Sequence, residues 1–355
     1  MTVPLRVWLL SDGVPGHVNQ ARGLVRRIAA VQEVDCQEFI VPMRLPFLRP
    51  LLRSAQNNRR SWAHQLARWI YKSWPHVDED PELIISAGGK TSFINALLAQ
   101  QLGSTNFFMG SLRGLDAELF SAVFTLQPLE NPSGSALKNN IVMPILPSNN
   151  DPDAGREEAQ NLRRRYSGYV FGAVLLGGDG SGYRYKDRDW EQLATAMNLL
   201  SQEQKVIWLL TTSRRTGKRA EAVLQGLLNR KTLADVVWFA EHPRNRNAMF
   251  LQAADFVLCG EDSMSMVHEA LAADAKVVTL SPKFAKPPAR YADKIKRLYE
   301  AGYLQCCSIS ALGALQVSAV CNTRAHQPHD WRGVIERSLK PLLEGIREAD
   351  NLDES

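Results

Sequence analysis

The sequence lacks long apolar runs and has few cysteines. No stretch approaches the ~20 apolar residues that a membrane-spanning helix needs, which argues against a transmembrane protein. The first apolar run, VWLL at 7–10, is too short for the core of a signal peptide. The five cysteines show neither the spacing of a metal site nor the pattern of a disulfide framework. We therefore expect a reduced, cytoplasmic protein.

Acidic residues are absent from 42–77, although the whole chain has 37 of them against 42 lysines and arginines. Within this range, 44–74 holds seven basic residues and three tryptophans. The basic residues are Arg44, Arg49, Arg53, Arg59, Arg60, Arg68 and Lys72. A helix from Ser61 would carry four apolar residues on one face, with Gln65, Arg68 and Lys72 beside them. The four are Trp62, Leu66, Trp69 and Ile70.

Basic side chains around tryptophan are typical of a helix that lies on an anionic membrane surface. We therefore predict that this stretch is the membrane and acceptor surface. The residues that form it are Arg59, Arg60, Trp62, Arg68 and Trp69. One alternative is a core helix whose arginines are merely solvated. A nucleic-acid surface is a weaker alternative, because no recognisable binding motif accompanies the charge, and we expect no nucleic-acid partner.

Apolar runs alternate with helical patterns along the chain, which predicts an α/β fold. The runs are continuous, as expected for parallel strands that are buried on both faces. They lie at 5–10, 82–87, 105–110, 121–126, 169–178, 205–212, 234–240, 254–260 and 275–281. A polar stretch at 149–165 predicts a linker. We expect two doubly wound Rossmann-like domains, 1–150 and 165–330, and a C-terminal helix and tail at 331–355 that packs back on the first domain.

Residues 11–20, SDGVPGHVNQ, join the first predicted strand to a helix. Two glycines and a proline within four residues permit tight backbone geometry. Such a turn directs backbone N–H groups and a helix N-terminus at a ligand. Asp12 and His17 are candidate catalytic groups, and Gly16 lets the backbone approach a sugar. The alternatives are an Asx turn for Asp12 and a hydrogen bond within its own loop for His17.

Four loops after strands of the second half combine glycines, hydroxyls and cationic side chains. They are GGDGSGYR (177–184), TTSRRTGK (211–218), EHPRNRN (241–247) and CGEDSMSMVHEALA (259–272). Backbone amides, hydroxyls, arginine forks and a helix dipole at one sheet edge suit a diphosphate, and a glutamate one turn into the helix suits ribose hydroxyls. The candidate donor-binding residues are Gly177, Gly178, Ser181, Arg184, Ser213, Arg214, Arg215, Asp262, Ser263, Ser265 and Glu269. Taken singly, Ser263 is an ordinary N-cap and Glu269 a solvated helix residue.

Two further kinds of motif do not support a separate site. AGGKTS at 87–92 lacks the first glycine of a phosphate-binding P-loop, and we expect its glycines to line the ligand crevice instead. Paired carboxylates at 78–80, 151–153 and 187–189 imitate a metal site but lie in polar, surface-like sequence. His326 and His329 do not have zinc spacing and are expected at the surface.

Five stretches resemble a family of glycosyltransferases named after the plant mitochondrial fission factor. They are DGVPGHVNQ, LLGGDGSGYRY, TTSRRTG, ADFVLCGEDSMSMVHEALAADAKVVTLSPK and KFAKPPARYADKIKRLYEAG. The resemblance covers most of the chain and implies a GT-B fold, with two Rossmann-like domains facing a central cleft. More distantly, the Gly16-His17 turn and SMSMVHEA resemble the peptidoglycan N-acetylglucosaminyltransferase that acts on a lipid-linked acceptor. That resemblance implies donor diphosphate binding at GGDGSG and ribose binding at Glu269.

Together with the basic stretch, the resemblance implies transfer of a sugar from a nucleotide-sugar to a lipid-linked or lipopolysaccharide acceptor, at the inner face of the cytoplasmic membrane. Arginines and helix dipoles would stabilise the leaving diphosphate, so no metal and no cofactor is expected. Asp12 or His17 would take the proton of the acceptor hydroxyl, an effect of ~10²–10⁴-fold on rate. A sugar-nucleotide epimerase of the same fold and a non-catalytic membrane-associated factor are the alternatives.

Overall fold

The chain is organised as two α/β units. The structure, a computed structural model, describes residues 3–76, 79–131, 134–149, 155–322 and 331–353. Contacts divide the chain into unit 1, which comprises residues 1–149 and 329–355, and unit 2, which comprises residues 150–328.

Unit 1 is built on a six-stranded parallel sheet. Its strands are β1 (Leu5–Ser11), β2 (Val34–Ile40), β3 (Leu83–Ala87), β4 (Thr105–Met109), β5 (Ala122–Thr125) and β6 (Asn140–Val142). Its helices are α1 (Pro15–Ala29), α2 (Arg49–Asn57), α3 (Ala63–Ile70), α4 (Ser92–Leu102) and α12 (Trp331–Asp353). The strand order β2-β1-β3-β4-β5-β6 reverses direction between β1 and β3. Ligands of open α/β sheets bind beyond the carboxyl ends of the strands at such a reversal.

The last helix belongs to unit 1 and packs on α1. Ile335, Leu339 and Leu343 are buried, and their spacing of four residues places them on one face of α12. Arg27 of α1 pairs with Glu336 of α12 at an Nη1–Oε1 distance of 3.8 Å. The amphipathic pattern of α12 is therefore satisfied within unit 1.

Unit 2 repeats the architecture with another strand order. Its strands are β7 (Val170–Leu175), β8 (Tyr183–Arg184), β9 (Val206–Thr211), β10 (Leu233–Val237), β11 (Phe256–Gly260), β12 (Val277–Ser281), β13 (Phe284–Ala285) and β14 (Leu304–Ser308). Its helices are α5 (Arg156–Arg165), α6 (Asp187–Gln204), α7 (Gly217–Leu227), α8 (Asn247–Ala253), α9 (Met264–Ala272), α10 (Ala289–Glu300) and α11 (Val317–Asn322). The parallel sheet β10-β9-β7-β11-β12-β14 reverses between β7 and β11, and β8 pairs antiparallel with β13.

Each apolar run that predicted a strand contains one, and the main-sheet strands that were not predicted are β2, β6 and β14. All three lie at the outer edges of their sheets. Most residues of β2 are exposed, so this strand has no continuous apolar run. The prediction recognised the strands that are buried on both faces and the edge strand β10, and it missed the other three edge strands.

The prediction of a linker over 149–165 is wrong for residues 156–165, which form α5. This helix has Glu157 and Glu158 in its first turn and three arginines in its last, an arrangement that the helix dipole favours. Arg163 donates to the carboxylate of Asp255 at 2.9 Å, which fixes α5 beside the end of α8. The charged composition of residues 156–165 is therefore that of an exposed helix.

Candidate functional site

The glycine loop after β7 is the centre of the candidate nucleotide site in unit 2. A Cβ atom on Gly177 would lie 1.9 Å from Oδ2 of Asp262, and one on Gly178 would lie 2.2 Å from the carbonyl oxygen of Arg215. Gly178 also has a φ of 156°, at the limit of the left-handed region. Only glycine fits between these neighbours, so Gly177 and Gly178 are required by the close packing of the loop.

Asp262, directly after β11, ties the neighbouring loops together. Its Oδ1 accepts from the hydroxyl of Tyr185 at 2.7 Å, and its Oδ2 accepts from the backbone N–H of Gly178 at 3.1 Å. Nη2 of Arg215 lies 2.8 Å from the same Oδ2, and the Asp262 side chain has no exposed surface. Burial raises the pKa of Asp262, while the Tyr185 hydrogen bond and the Arg215 charge oppose that rise.

These contacts show what Asp262 does within the protein and reveal one residue that the sequence prediction missed. Because its carboxylate is enclosed and bonded to three groups, Asp262 holds the loops in position. Arg215 is engaged in the same pair. Tyr185 stacks on Trp190 with ring centroids 4.6 Å apart, which aims its hydroxyl at Asp262. The sequence signal for Tyr185 was only its place after the glycine loop.

Some side chains of the loop after β9 hydrogen-bond to the glycine loop, and others are exposed to solvent. Ser213 donates from Oγ to the carbonyl of Gly177 at 3.0 Å, and Thr216 donates from Oγ1 to the same oxygen at 2.5 Å. Arg214 is exposed and has no hydrogen-bond or ion-pair partner in the residues that the structure describes. Ser213 is therefore a support of the glycine loop, and Arg214 is the cation left available to a ligand.

The start of α9 lies across the β7/β11 reversal from this loop. Ser263 occupies the N-cap position, but its side chain makes no capping hydrogen bond and its Oγ lies 3.3 Å from Oγ of Ser265. Glu269, one turn further on, is half-buried and accepts from Nδ2 of Asn247 at 3.3 Å. Ser263 is therefore the N-cap residue of α9, without a side-chain capping bond, and Glu269 is linked to Asn247, the first residue of α8.

The outer part of the glycine loop is exposed. Ser181 adopts a φ of 50°, which is uncommon for a residue with a side chain. Arg184 is exposed, and its Nη1 lies 3.9 Å from Oδ2 of Asp179. An exposed ion pair at this distance contributes little to stability. Both residues are accessible to solvent.

In unit 1, the turn after β1 joins Asp12 to His17. Nδ1 of His17 lies 3.1 Å from Oδ2 and 3.2 Å from Oδ1 of Asp12. The Asp12 side chain is 1% exposed and that of His17 is 38% exposed. Asp12 Oδ1 also accepts from the backbone N–H of Val14 at 3.1 Å, so the residue both forms an Asx turn and orients the imidazole.

The glycine with the left-handed backbone in this turn is Gly13, at a φ of 76°. Gly16 lies in the first turn of α1 instead. The ring of His17 lies over Gly88 in the loop after β3, where a Cβ would be 2.2 Å from Nδ1. The turn and the β3–α4 loop thus meet at the reversal of strand order in unit 1.

The basic stretch of unit 1 forms α2, α3 and the turns around them, and it divides between core and surface. Ile70 of α3 is fully buried, but Trp69 is 73% exposed and Trp62 is 42% exposed. The prediction that these tryptophans share a face with Ile70 is therefore wrong. Arg60 is exposed, and Arg59 pairs only loosely with Glu118 at 3.7 Å.

Neither the membrane-surface interpretation nor the core-helix interpretation describes the whole of this stretch. Arg68 lies 5.6 Å from the ring of Trp74, and Phe47 adds a further ring that is 71% exposed. No helix within the described ranges is both long and apolar enough to cross a membrane.

The carboxylate pairs do not gather into a metal site in the described part of the chain, where no group of three or more potential ligands occurs. Asp187 pairs with Arg219. Asp189 is buried, caps α6 through the backbone N–H of Lys186, and accepts from that of Lys283 at 3.0 Å. The expectation that 187–189 is polar surface is wrong for Asp189. Asp78, residues 151–153, His326 and His329 lie outside the described residues.

The sequence profile of the family described as mitochondrial fission ELM1 matches residues 15–324. The chain belongs to this family. The matched range contains His17 and all the candidate donor loops of unit 2, whereas Asp12 precedes it. No curated protein matches the chain at significant sequence similarity.

Solved structures resemble this ELM1-family protein in fold at low sequence identity. The UDP-GlcNAc 2-epimerase of Methanocaldococcus jannaschii gives a TM-score of 0.55 at 13% identity, over 96% of this chain and 100% of that chain. The UDP co-structure of S. aureus MnaA gives 0.51 at 13% identity, over 98% and 97%. Acinetobacter baumannii MurG gives 0.45 at 13% identity, over 97% and 100%, and that score carries no weight here. The fold of the ELM1-family chain is GT-B, with two six-stranded parallel sheets.

Proposed function

We propose that the protein is a glycosyltransferase that uses a nucleotide-sugar donor and a lipid-linked or lipopolysaccharide acceptor. The observation that carries the proposal is the locked glycine loop of unit 2, which Asp262 and Arg215 hold in place while Arg214 stays available. A binding loop that is already ordered avoids the entropic cost of ordering it around a ligand. A diphosphate is the ligand that such a loop and a free guanidinium suit.

In this proposal the donor is held by residues at the β7/β11 reversal. Arg214 and the N-terminus of α9 neutralise the diphosphate, and the Ser263 and Ser265 hydroxyls donate to its oxygens. Glu269 accepts from ribose hydroxyls. The M. jannaschii enzyme named above has also been solved with UDP-GlcNAc and UDP, which makes UDP the first probe for this chain. The leaving diphosphate is stabilised by these groups, with no cofactor in the proposal.

The acceptor is activated by the Asp12–His17 pair of unit 1. Donation from Nδ1 of His17 to the Asp12 carboxylate leaves Nε2 as the hydrogen-bond acceptor of the neutral ring. Nε2 then takes the proton of the acceptor hydroxyl as its oxygen attacks the anomeric carbon, and the Asp12 charge stabilises the resulting imidazolium. Asp12 acts as the positioning residue, and His17 as the base.

The exposed aromatic and basic surface of unit 1 supports a membrane-associated acceptor. Trp69 and Trp62 are the rings that would enter the headgroup region, and Arg59, Arg60 and Arg68 are the cations that would approach anionic lipid. The proposal thus places the protein as a peripheral component at the inner face of the cytoplasmic membrane. Its partners are a nucleotide-sugar, an envelope glycan acceptor and anionic lipid.

Incubation of the purified chain with UDP-sugars, with and without extracted envelope lipids, tests the proposal. Nucleoside diphosphate release that depends on the lipid and that falls in the Arg214→Gln variant supports transfer. Formation of an epimer without any acceptor would instead identify a sugar-nucleotide epimerase. Absence of binding to a panel of nucleotide-sugars in calorimetry would leave a non-catalytic membrane-associated factor.

A further inference from the structure

The loop between β3 and α4 in unit 1 is crossed by two charged or ionisable side chains from different elements. The His17 ring lies over Gly88, and the guanidinium of Arg113 lies over Gly89, where a Cβ would be 2.2 Å from Nε. Gly88 and Gly89 are adjacent, with Cα atoms about 3.8 Å apart. The loop therefore packs against both the imidazole of His17 and the guanidinium of Arg113.

Arg113 is held at this position by α2. Its φ of 52° lies in the left-handed region, which residues with side chains rarely adopt. Nη1 of Arg53 donates to the carbonyl of Arg113 at 3.1 Å, and Nδ2 of Asn57 donates to that of Gly114 at 2.9 Å. Two side chains of one helix thus fix the loop that presents the Arg113 guanidinium.

The cluster carries an unbalanced positive charge. Lys90, Arg53 and Arg113 are exposed, and no ion pair joins any of them to a carboxylate in the residues that the structure describes. The carboxylate of Asp12 is almost fully buried and is bonded to His17. Tyr71 donates to the carbonyl of Lys90, which fixes the backbone beside that ammonium. Arg53 and Arg113 are therefore held together, Lys90 follows Gly89 in the same loop, and no carboxylate of the described residues pairs with any of the three.

The place of this cluster in the fold also favours a ligand. The loops after β1 and β3 flank the reversal of strand order in unit 1, where open α/β sheets bind ligands. The first turn of α4 adds the backbone N–H groups of a helix N-terminus. Two guanidinium groups and an ammonium match the several oxygens of a phosphate group better than the single plane of a carboxylate.

We propose that Lys90, Arg53 and Arg113 form an anion subsite in unit 1 that binds a phosphate or diphosphate ester carried by the acceptor. The inference rests on the proposed function and narrows it, because it names the acceptor as a phosphorylated compound whose hydroxyl approaches His17. Every residue of the subsite belongs to unit 1.

Inorganic pyrophosphate is the first probe, titrated calorimetrically into the full chain that has been saturated with UDP. We expect pyrophosphate to bind, and we expect Arg113→Gln and Lys90→Gln each to weaken that binding roughly tenfold, the scale of a lost hydrogen bond to a charged group. Lys138→Gln, which changes an exposed cation of the same unit outside both the cluster and the basic stretch, is the matched control and should leave the affinity unchanged. Unaltered pyrophosphate affinity in the Arg113→Gln Lys90→Gln double variant would overturn the subsite.

A competition experiment separates an acceptor phosphate from a lipid headgroup. Farnesyl diphosphate in neutral detergent should displace pyrophosphate, whereas farnesol and phosphatidylglycerol at equal concentration should not. Displacement by phosphatidylglycerol as effective as that by farnesyl diphosphate would overturn the acceptor assignment. UDP affinity is measured in the same variants. A wild-type chain that fails to bind UDP contradicts the proposed function, while the effect of Arg113→Gln on pyrophosphate still decides the subsite.

Discussion

Unit 1 and unit 2 each contain a six-stranded parallel sheet. At the point where strand order reverses, each has a buried aspartate, but the two aspartates have different partners. In unit 2 the Asp262 carboxylate is enclosed and paired with Arg215. In unit 1 the Asp12 carboxylate is also enclosed, and the partner side chains are exposed to a similar extent, 33% for Arg215 and 38% for His17. The two pairs differ in the chemistry of the partner, since a guanidinium keeps its charge and holds the backbone around it, whereas an imidazole can exchange a proton with a ligand.

The largest difference between the units is expected in turnover. Replacement of His17 by Ala removes the proposed base and should lower the rate of transfer by ~10²–10⁴-fold, while UDP affinity stays unchanged because its proposed ligands lie in unit 2. Initial rates and calorimetric UDP binding measure the two quantities. Asp12→Asn should reduce the rate in the same direction, since the amide no longer stabilises the imidazolium. A His17→Ala variant with full activity would remove the catalytic role from unit 1.

The next largest effect is expected on the free energy of unfolding, which should differ between loss of Asp262 and loss of Asp12. Asp262→Ala leaves Arg215 without its partner and the N–H of Gly178 without its acceptor, so unfolding of unit 2 should become easier by about 2–4 kcal/mol. The value lies below that for a fully buried pair because Arg215 reaches solvent. Urea denaturation, with hydrogen exchange to locate the effect, measures it. Asp12→Ala is the counterpart in unit 1 and should cost ~1 kcal/mol. Equal losses for the two variants would show that the pairs do not differ as described.

A smaller effect concerns the proposed nucleotide site. Glu269→Ala should weaken binding of a nucleoside diphosphate by ~1.5–3 kcal/mol, since it removes a charged acceptor from the ribose. The fold should be retained, because Glu269 is only half-buried. Glu269→Gln is the matched variant and should recover part of the affinity. Unchanged UDP affinity in a folded Glu269→Ala protein would contradict the ribose assignment.

The smallest effect per side chain is expected at the membrane surface of unit 1. Arg59, Arg60 and Arg68, changed together to Gln, should reduce binding to anionic vesicles by ~1 kcal/mol for each cation. Binding should also weaken with salt, because charges beyond a Debye length of ~8–10 Å are screened. Co-sedimentation with vesicles of phosphatidylglycerol measures it, and neutral phosphatidylcholine vesicles are the control. Wild-type protein that stays in the supernatant at low salt would make this surface a site for another partner.

The strands that are buried on both faces could be predicted from the sequence, because a continuous apolar run needs no tertiary information to be recognised. β2 could not, since its exposed side chains become a strand only by pairing with β1. α5 was also missed, because its charges suit an exposed helix and a linker equally. In the site, the glycines marked the loops correctly, but the partners that require them lie 84 residues away in the case of Gly178 and Asp262.

The sequence by itself determined that the chain has an α/β fold, that glycine-rich loops follow its strands, and that basic residues gather between 44 and 74 without acids. These properties depend on composition and local order. The tertiary structure decided the state of each charge. It enclosed Asp262, left Arg214 exposed, turned Trp69 outward while burying Ile70, and set Arg113 over Gly89. Solvation and pairing depend on neighbours that are remote in the chain, and only the fold brings those neighbours into contact.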